Sequence, residues 1–293
     1  LKKELFLNNV LSLFDGISAG HLALNRSNIS INNYYKSEID KHALKVSNYH
    51  FPSDINLGDV TNWKEWDIDW SSIDLLIGGS PCQGFSFAGK QLAFDDPRSK
   101  LFFVFVDILN HIKSVNPNVK FMLENVKMKK EYIDIISNHL NVQPIIINSR
   151  LVSAQNRVRY YWCNWNVPEL EDKNISLKQA LYYRPSDDVI CGAYRGRYLV
   201  DGVRQDGKMK TAGLTTQRLE LRTDDKTNCI TTVQKDNVLV VNGVARNFTI
   251  EEYAVLQTFP KYWCNSISKT QALKAYGNSW TVDVITHLFR NIQ

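Results

Sequence analysis

Near the start of the chain Val10, Leu11, Leu13 and Phe14 form a short apolar run that stops at Asp15–Gly16. Beyond that turn Ala19, Leu22, Ala23 and Leu24 follow at helical spacing. The pattern predicts strand, tight turn, helix, and the rhythm then repeats. Tyr34–Glu38 reads as a second strand, followed by a helix from Asp40 to Tyr49. Ile73–Ile77 and Val119–Leu123 are nearly continuous apolar runs, as strands buried on both faces should be. A striped helix over Leu101–Ile112 lies between them. A helix over Tyr132–Leu140 then leads to a strand at Val142–Ile147. Such alternation predicts an α/β fold, a Rossmann-like and mostly parallel sheet with helices on both faces. In sheets of this kind ligands bind beyond the carboxyl ends of the strands. Asp15, Glu38, Asp59, Cys82 and Glu124 all fall at or just after candidate strand ends, so one sheet edge collects the polar groups.

After Trp165 the rhythm changes. The stretch 168–245 lacks βα alternation and is rich in Thr, Arg, Asp and Gly, with short β-prone runs such as Val238–Val241. It reads as a smaller domain of strands and loops. A helical segment, Thr249–Gln257, passes through Phe259–Pro260 to Gly277–Asn278–Ser279 and an apolar helix at Val282–Phe289. That last helix is expected to return to the first domain. The expected division is one domain over 1–165 and 265–293, and a second over 166–264.

Bulk properties narrow the partners. The chain has 293 residues, 44% hydrophobic and 22% charged, which is a globular composition rather than a disordered one. A net charge of +5 permits a polyanionic partner without demanding one. The cysteines stand singly at Cys82, Cys163, Cys191, Cys229 and Cys264, with no CxxC pair. This argues against a zinc ribbon and a disulfide framework, and no metal is expected. There is no signal-peptide pattern and no apolar run of membrane-span length, so an intracellular, reducing setting without a membrane partner is expected.

The first turn, Phe14–Asp15–Gly16–Ile17–Ser18–Ala19–Gly20, has small residues that let a ligand approach the backbone. It lacks the middle glycine of a dinucleotide fingerprint, and Asp15 would repel phosphates. Glu38 could accept both hydroxyls of a ribose, and Asp59 the amino group of an adenine. Together they suggest an adenosine cofactor without phosphates, a description that S-adenosylmethionine fits. Cys82, in the stretch GGSPCQGFS, is either a small buried hydrophobe or a nucleophile. A nucleophilic thiolate needs exposure and a depressed pKa, which a strand-end loop near arginines supplies. Glu124, after Phe121–Met122–Leu123, could protonate or hydrogen-bond a ring nitrogen, or could simply cap a helix. Arg157 and Arg159 alternate on a candidate strand and so share a side, which suits recognition of an anion or carbonyl.

These pieces, in order, resemble the cytosine-C5 DNA methyltransferases: FDGISAG, Glu38, GDV, SPCQGFS, DPRSKLFF, ENV, QNRVR, RNFTIEEYAVLQTFP and YGNSW, over nearly the whole chain. The first turn departs from the family's usual F-x-G-x-G-G. With GGSPC, Val152–Ser153–Ala154 and Trp280 it is more similar to the eukaryotic de novo enzymes. The Gln83–Gly84–Phe85–Ser86 tail resembles bacterial and phage members. The resemblance implies that Cys82 attacks C6 of cytosine, Glu124 holds N3, Arg159 contacts O2, and Arg157 fixes Glu124 or a phosphate. It places Phe14, Asp15, Gly16, Ile17, Glu38 and Asp59 around S-adenosylmethionine, with Val60, Leu101, Asn278, Ser279 and Trp280. Ile39 stands where some members carry an aromatic for the adenine.

The resemblance also implies a double-stranded DNA partner, a flipped base and a target-recognition domain in the middle of the chain. The loop from Gln83 to Ser99 would close over the base, with Ser86 near a phosphate. Gln155, Arg195, Arg197 and Thr231 are the expected DNA contacts, and Arg204, Lys208 and Lys210 lie in the same region. A monomer in the cytoplasm of a bacterial or phage-infected cell is expected, with room for a cognate restriction endonuclease. Three alternatives stay open: methylation of tRNA cytosine, an inactive DNA-binding module, and a nucleotide-cofactor oxidoreductase, which Asp15 and Ser18 disfavour.

Overall fold

The computed structural model describes residues 5–80, 100–200, 203–204 and 216–292. Cys82, Ser86, Lys208, Lys210 and the expected closing loop from Gln83 to Ser99 lie outside the described residues. The first half alternates as expected: β1 (Leu5–Leu13), α1 (Ala19–Arg26), β2 (Ile29–Ser37), α2 (Lys41–His50), β3 (Ile55–Asn56) and β4 (Ile73–Gly78). Then come α3 (Lys100–Val115), β5 (Lys120–Val126), α4 (Lys130–Leu140), β6 (Ile145–Asn148) and β7 (Val158–Cys163). Among the described residues these strands form one sheet in the order β3-β2-β1-β4-β5-β7-β6. All of its pairs are parallel except those of β7, which runs antiparallel to β5 and to β6.

Alternate residues serve opposite faces of this sheet, as strand geometry requires. Leu75 and Ile77 of β4 and Met122 of β5 join the core under α1, while Leu76, Phe121 and Leu123 join the core under α3 and α4. Two strands differ from expectation. The strand expected at Val142 starts at Ile145, because Pro144 has no N–H to give to the ladder. The strand expected to stop at Leu123 runs on to Val126, because β7 pairs alongside it and sets Glu124 opposite Tyr161. Glu124 therefore sits within the sheet, not beyond it.

The second half contains α5 (Leu177–Leu181), β8 (Val189–Arg197), β9 (Leu199–Val200), β10 (Val203–Arg204), β11 (Thr216–Leu221), β12 (Val238–Val241) and β13 (Val244–Asn247). Antiparallel β11-β8-β12-β13 make a separate small sheet. Its inner residues Val189, Cys191 and Leu239 belong to the same apolar cluster as α1. The chain closes with α6 (Ile250–Leu256), α7 (Lys269–Asn278) and α8 (Val282–Phe289). The apolar run at Val282–Phe289 matches α8 end to end. Val282, Val284, Ile285, Leu288 and Phe289 are all fully buried, and burial stabilises by roughly 1.5–3 kcal/mol per large apolar side chain before entropy is set against it. Trp263 Nε1 donates to Ile17 O (3.0 Å) and Arg26 Nη1 to Asp283 Oδ1 (2.8 Å), so the last segment is tied to the first. No helix among the described residues is long and apolar enough to cross a membrane.

Candidate active site

The carboxyl ends of β1, β2, β4 and β5 border a cavity of about 590 Å³, within the ~300–1,000 Å³ usual for small-molecule sites. Every residue expected at the cofactor lines it, together with Glu124, Arg157 and Arg159. A larger cleft of about 1140 Å³ opens beside Ser30, Asn32 and Asn33 of β2, at the other end of the strands, and holds none of these residues.

The first turn builds one wall. Phe14, Gly16 and Ser18 all have left-handed backbone conformations (φ 58°, 61° and 59°), which reverse the chain tightly between β1 and α1. Asp15 holds that turn from inside. Its carboxylate accepts from Ser12 Oγ (2.7 Å), Ser18 Oγ (2.6 Å) and Tyr34 Oη (2.8 Å). Burial, then the charge of Asp15, pushes the Tyr34 phenol well above its usual range. Glu38 braces the turn from β2, accepting from Gly16 N (2.8 Å), Ile39 N (2.8 Å) and Asp40 N (2.7 Å). Burial raises its pKa, and those backbone donors pull the other way without cancelling the rise. Asp59 Oδ1 is occupied in capping the next turn, through Thr61 N (2.9 Å) and Thr61 Oγ1 (2.8 Å).

The opposite wall carries Glu124, Arg157 and Arg159. Glu124 Oε1 pairs with Arg159 Nε at 2.9 Å, and its Oε2 accepts from Trp280 Nε1 at 3.1 Å. Gly79 makes room for this. A Cβ there would lie 2.9 Å from Trp280 Nε1 and 3.1 Å from Glu124 Oε2. Asn125 Nδ2 donates to Ser80 Oγ (3.2 Å), so β5 holds the side chain of Ser80, two residues ahead of Cys82.

Arg157 was expected to fix Glu124 or a phosphate. Its guanidinium does not bond Glu124; it is 3% exposed and donates to Ile230 O (2.9 Å), Gly277 O (3.3 Å) and Ser279 O (2.7 Å). Burial, then the neighbouring Arg159, lowers its pKa. For Arg159 burial also acts downward, but Cys229, Glu124 and Tyr161 outweigh it and the net shift is upward. Cys229 Sγ lies 3.4 Å from Arg157 Nη1 and 3.7 Å from Arg159 Nη2. Burial would raise this thiol, yet Arg157 and then Arg159 bring it below the usual cysteine range.

A family model for C-5 cytosine-specific DNA methylases matches residues 8–164 and 163–293, which is nearly the whole chain. The chain belongs to this family. The type II methyltransferase M1.ScrFI of Lactococcus lactis subsp. cremoris is 30% identical over 94% of this chain and 75% of its own length. The type II methyltransferase M.SsoII of Shigella sonnei is 29% identical over 97% and 79%. Among solved structures, the Entamoeba histolytica methyltransferase EhMeth superposes with a TM-score of 0.64 at 17% identity, covering 97% of each chain. A Spodoptera frugiperda DNMT2 variant gives 0.61 at 19% identity, covering 96% of this chain and 98% of that one.

C5 methyltransferases use S-adenosylmethionine, and the methylase cavity fits it. Glu38 and Asp15 both line the cavity, and two carboxylates on one wall suit a ligand without phosphates there. Sequence reasoning missed Lys274, whose Nζ pairs with Asp40 Oδ2 at 2.7 Å beside the cavity, because α7 showed no clear stripe. It also missed Asn125 and Cys229, although both sit one or two residues from residues it had singled out.

Among the described residues, the expected DNA contacts Gln155, Arg195, Arg197 and Thr231 do not line the cavity. Gln155, expected at DNA, is fully buried here, donating to Leu256 O (3.1 Å) and Gln257 Oε1 (3.0 Å) and accepting from Ile230 N (2.8 Å). It is an internal brace and does not reach solvent. Arg195 pairs with Asp236 (2.9 Å) and Arg197 with Glu220. Thr231 Oγ1 donates to Asp236 Oδ2 (3.2 Å).

Proposed function

We propose that this methyltransferase acts on C5 of a cytosine in a short sequence of double-stranded DNA, flipping the base into the cavity and attacking it with Cys82. In this reading 1–165 with 265–293 is the catalytic unit and 166–264 reads the target. The observation that carries the reading is Glu124, held between Arg159 and Trp280 and touching Gly79 on the segment that leads to Cys82.

Cytosine C5 is a poor nucleophile while the ring is aromatic. Addition of the Cys82 thiolate to C6 breaks that conjugation and makes C5 electron-rich. N3 carries a lone pair and no proton, so Glu124 must meet it as the protonated acid; it donates that proton to N3 as negative charge develops on the ring, and Arg159 donates to O2. A carboxyl group already oriented by Arg159 and Trp280 needs little reorganisation as the ring is attacked. S-adenosylmethionine, when bound, supplies an electrophilic methyl group on a sulfonium; Glu38 would hold its ribose, and Asp59 with Val60 its adenine. After methylation water takes the C5 proton, the freed electron pair forms the C5–C6 double bond and expels Cys82 as thiolate, and N3 returns its proton to Glu124. The base must leave the stack because the reacting edge is closed off inside a duplex.

The family model, which describes DNA methylases, supports DNA as the substrate. The test is transfer of radiolabelled methyl to a random-sequence duplex and to tRNA, side by side. Label in duplex cytosine supports the reading. Label in tRNA alone overturns it in favour of RNA.

A further inference from the structure

Val189, Cys191 and Ala193 are buried along one register of β8, and the half-buried Arg195 and Arg197 continue that register while Tyr194 and Gly196 are exposed. The inner face thus turns from core to cation. Arg195 Nη1 meets Asp236 Oδ1 at 2.9 Å. Asp236 ends the short turn Gln234–Asp236, and the turn is fixed by Asp236 N to Val233 O (3.2 Å) and Asn228 Nδ2 to Asp236 O (2.9 Å). The other carboxylate oxygen, Oδ2, accepts from Thr231 Oγ1.

Thr231 in turn lies against the cavity wall. A Cβ on Gly277 would fall 2.7 Å from Thr231 C, so the two main chains touch. Gly277 lines the cavity, and Arg157 grips both Gly277 O and the neighbouring Ile230 O. One carboxylate therefore joins an arginine on the small sheet to the loop that leans on the catalytic wall.

We infer that Asp236 is a positioning residue that couples recognition to catalysis, orienting Arg195 toward DNA with one oxygen and holding Thr231 with the other. The inference rests on the DNA reading above. The Arg195–Asp236 side chains are 39% and 21% exposed, and ion pairs that wet add little to stability. What the pair provides is orientation. An arginine that reads guanine needs both donors aimed at one edge, and a side chain left to rotate loses much of that discrimination.

The experiment uses a duplex library randomised around cytosine, read by bisulfite sequencing, with Arg195→Ala, Asp236→Asn and the double variant. Each single variant is expected to lose about tenfold in preference for the favoured site over one-base variants, the scale of one bidentate base contact. The double variant should lose no more than Arg195→Ala alone, because the two act as one unit. Affinity for S-adenosylmethionine by calorimetry should be unchanged, whereas a merely structural role would lower it together with turnover on every sequence. Independently of any nucleic acid, amide hydrogen exchange at Thr231–Val233 should quicken in both single variants. Unchanged preference, additive losses or unchanged exchange overturns the coupling. If the unsubstituted protein methylates only tRNA, the DNA reading fails, and the exchange data alone decide whether Asp236 links Arg195 to Thr231.

Discussion

Replacing Arg157 by alanine removes one buried donor group that serves three main-chain carbonyls. Ile230 O, Gly277 O and Ser279 O would each lose a charged partner. A buried acceptor left without its bond costs about 1–3 kcal/mol, and water entering the space recovers part of this. A net loss of about 3–5 kcal/mol is expected, a large share of a typical domain's stability. For a chain of this size that corresponds to a fall in Tm of roughly 5–8 °C. Two of the three carbonyls belong to residues that line the cavity, so S-adenosylmethionine affinity should weaken by about tenfold, or ~1.4 kcal/mol. Arg157→Lys should recover only a fraction, because an ammonium cannot fork across several acceptors. Thermal melts with and without cofactor, together with calorimetric titration, measure both effects. If Arg157→Ala melts within a degree of the parent and binds cofactor equally well, the guanidinium does not hold these segments together.

Three further outcomes follow from the same geometry. Gly79→Ala should push Trp280 away from Glu124, lowering kcat by roughly 10–100-fold, less than the loss of a donor aimed at the transition state itself, and weakening cofactor affinity as well because Trp280 also lines the cavity. A normal kcat would show that the Trp280–Glu124 bond is dispensable. Glu38 has a folded pKa above its ordinary 4.5, so its ionised form costs stability at neutral pH and that cost is relieved as pH falls through the raised value. Cofactor binding needs the ionised form, so affinity should begin to fall at a higher pH than for an ordinary glutamate, and Glu38→Gln should flatten the profile. Cys229 should be alkylated by iodoacetamide before Cys163, Cys191 and Cys264. Its thiol is depressed and partly exposed, while burial raises the others, Cys191 to about 11 and Cys264 to about 12. Mass spectrometry of timed digests would show a different order if the two arginines do not lower it.

The cofactor wall was legible because its chemistry is local. Asp15, Gly16 and Glu38 mark strand ends, and the apolar runs before them locate those ends. Glu124 and Arg159 were legible as chemistry but not as a pair, since the antiparallel entry of β7 that joins them leaves no periodic mark. Arg157 looked like part of the reactive set because it alternates with Arg159. Its true partners, Ile230 and Ser279, lie 73 and 122 residues further on. Gln155 looked like a surface residue for the same reason: its acceptors come from α6, and nothing near it in the chain announces their arrival. The helix α7 was hidden by its own end, where Gly277 and Asn278 read as a turn. The small sheet gave the weakest signal, since β11 is exposed along most of its length and so carries no apolar alternation.

The central claim is that Cys82 bonds to C6 of a cytosine held by Glu124. Duplex DNA carrying 5-fluorocytosine blocks loss of the C5 substituent and traps that bond. Incubated with this DNA and S-adenosylmethionine, the protein should form a complex that survives denaturing electrophoresis, and digestion should locate the base on Cys82. Cys82→Ala should form none, and Glu124→Gln should form it far more slowly. A complex that persists in Cys82→Ala, or methyl transfer by that variant at the parent's rate, would contradict the account.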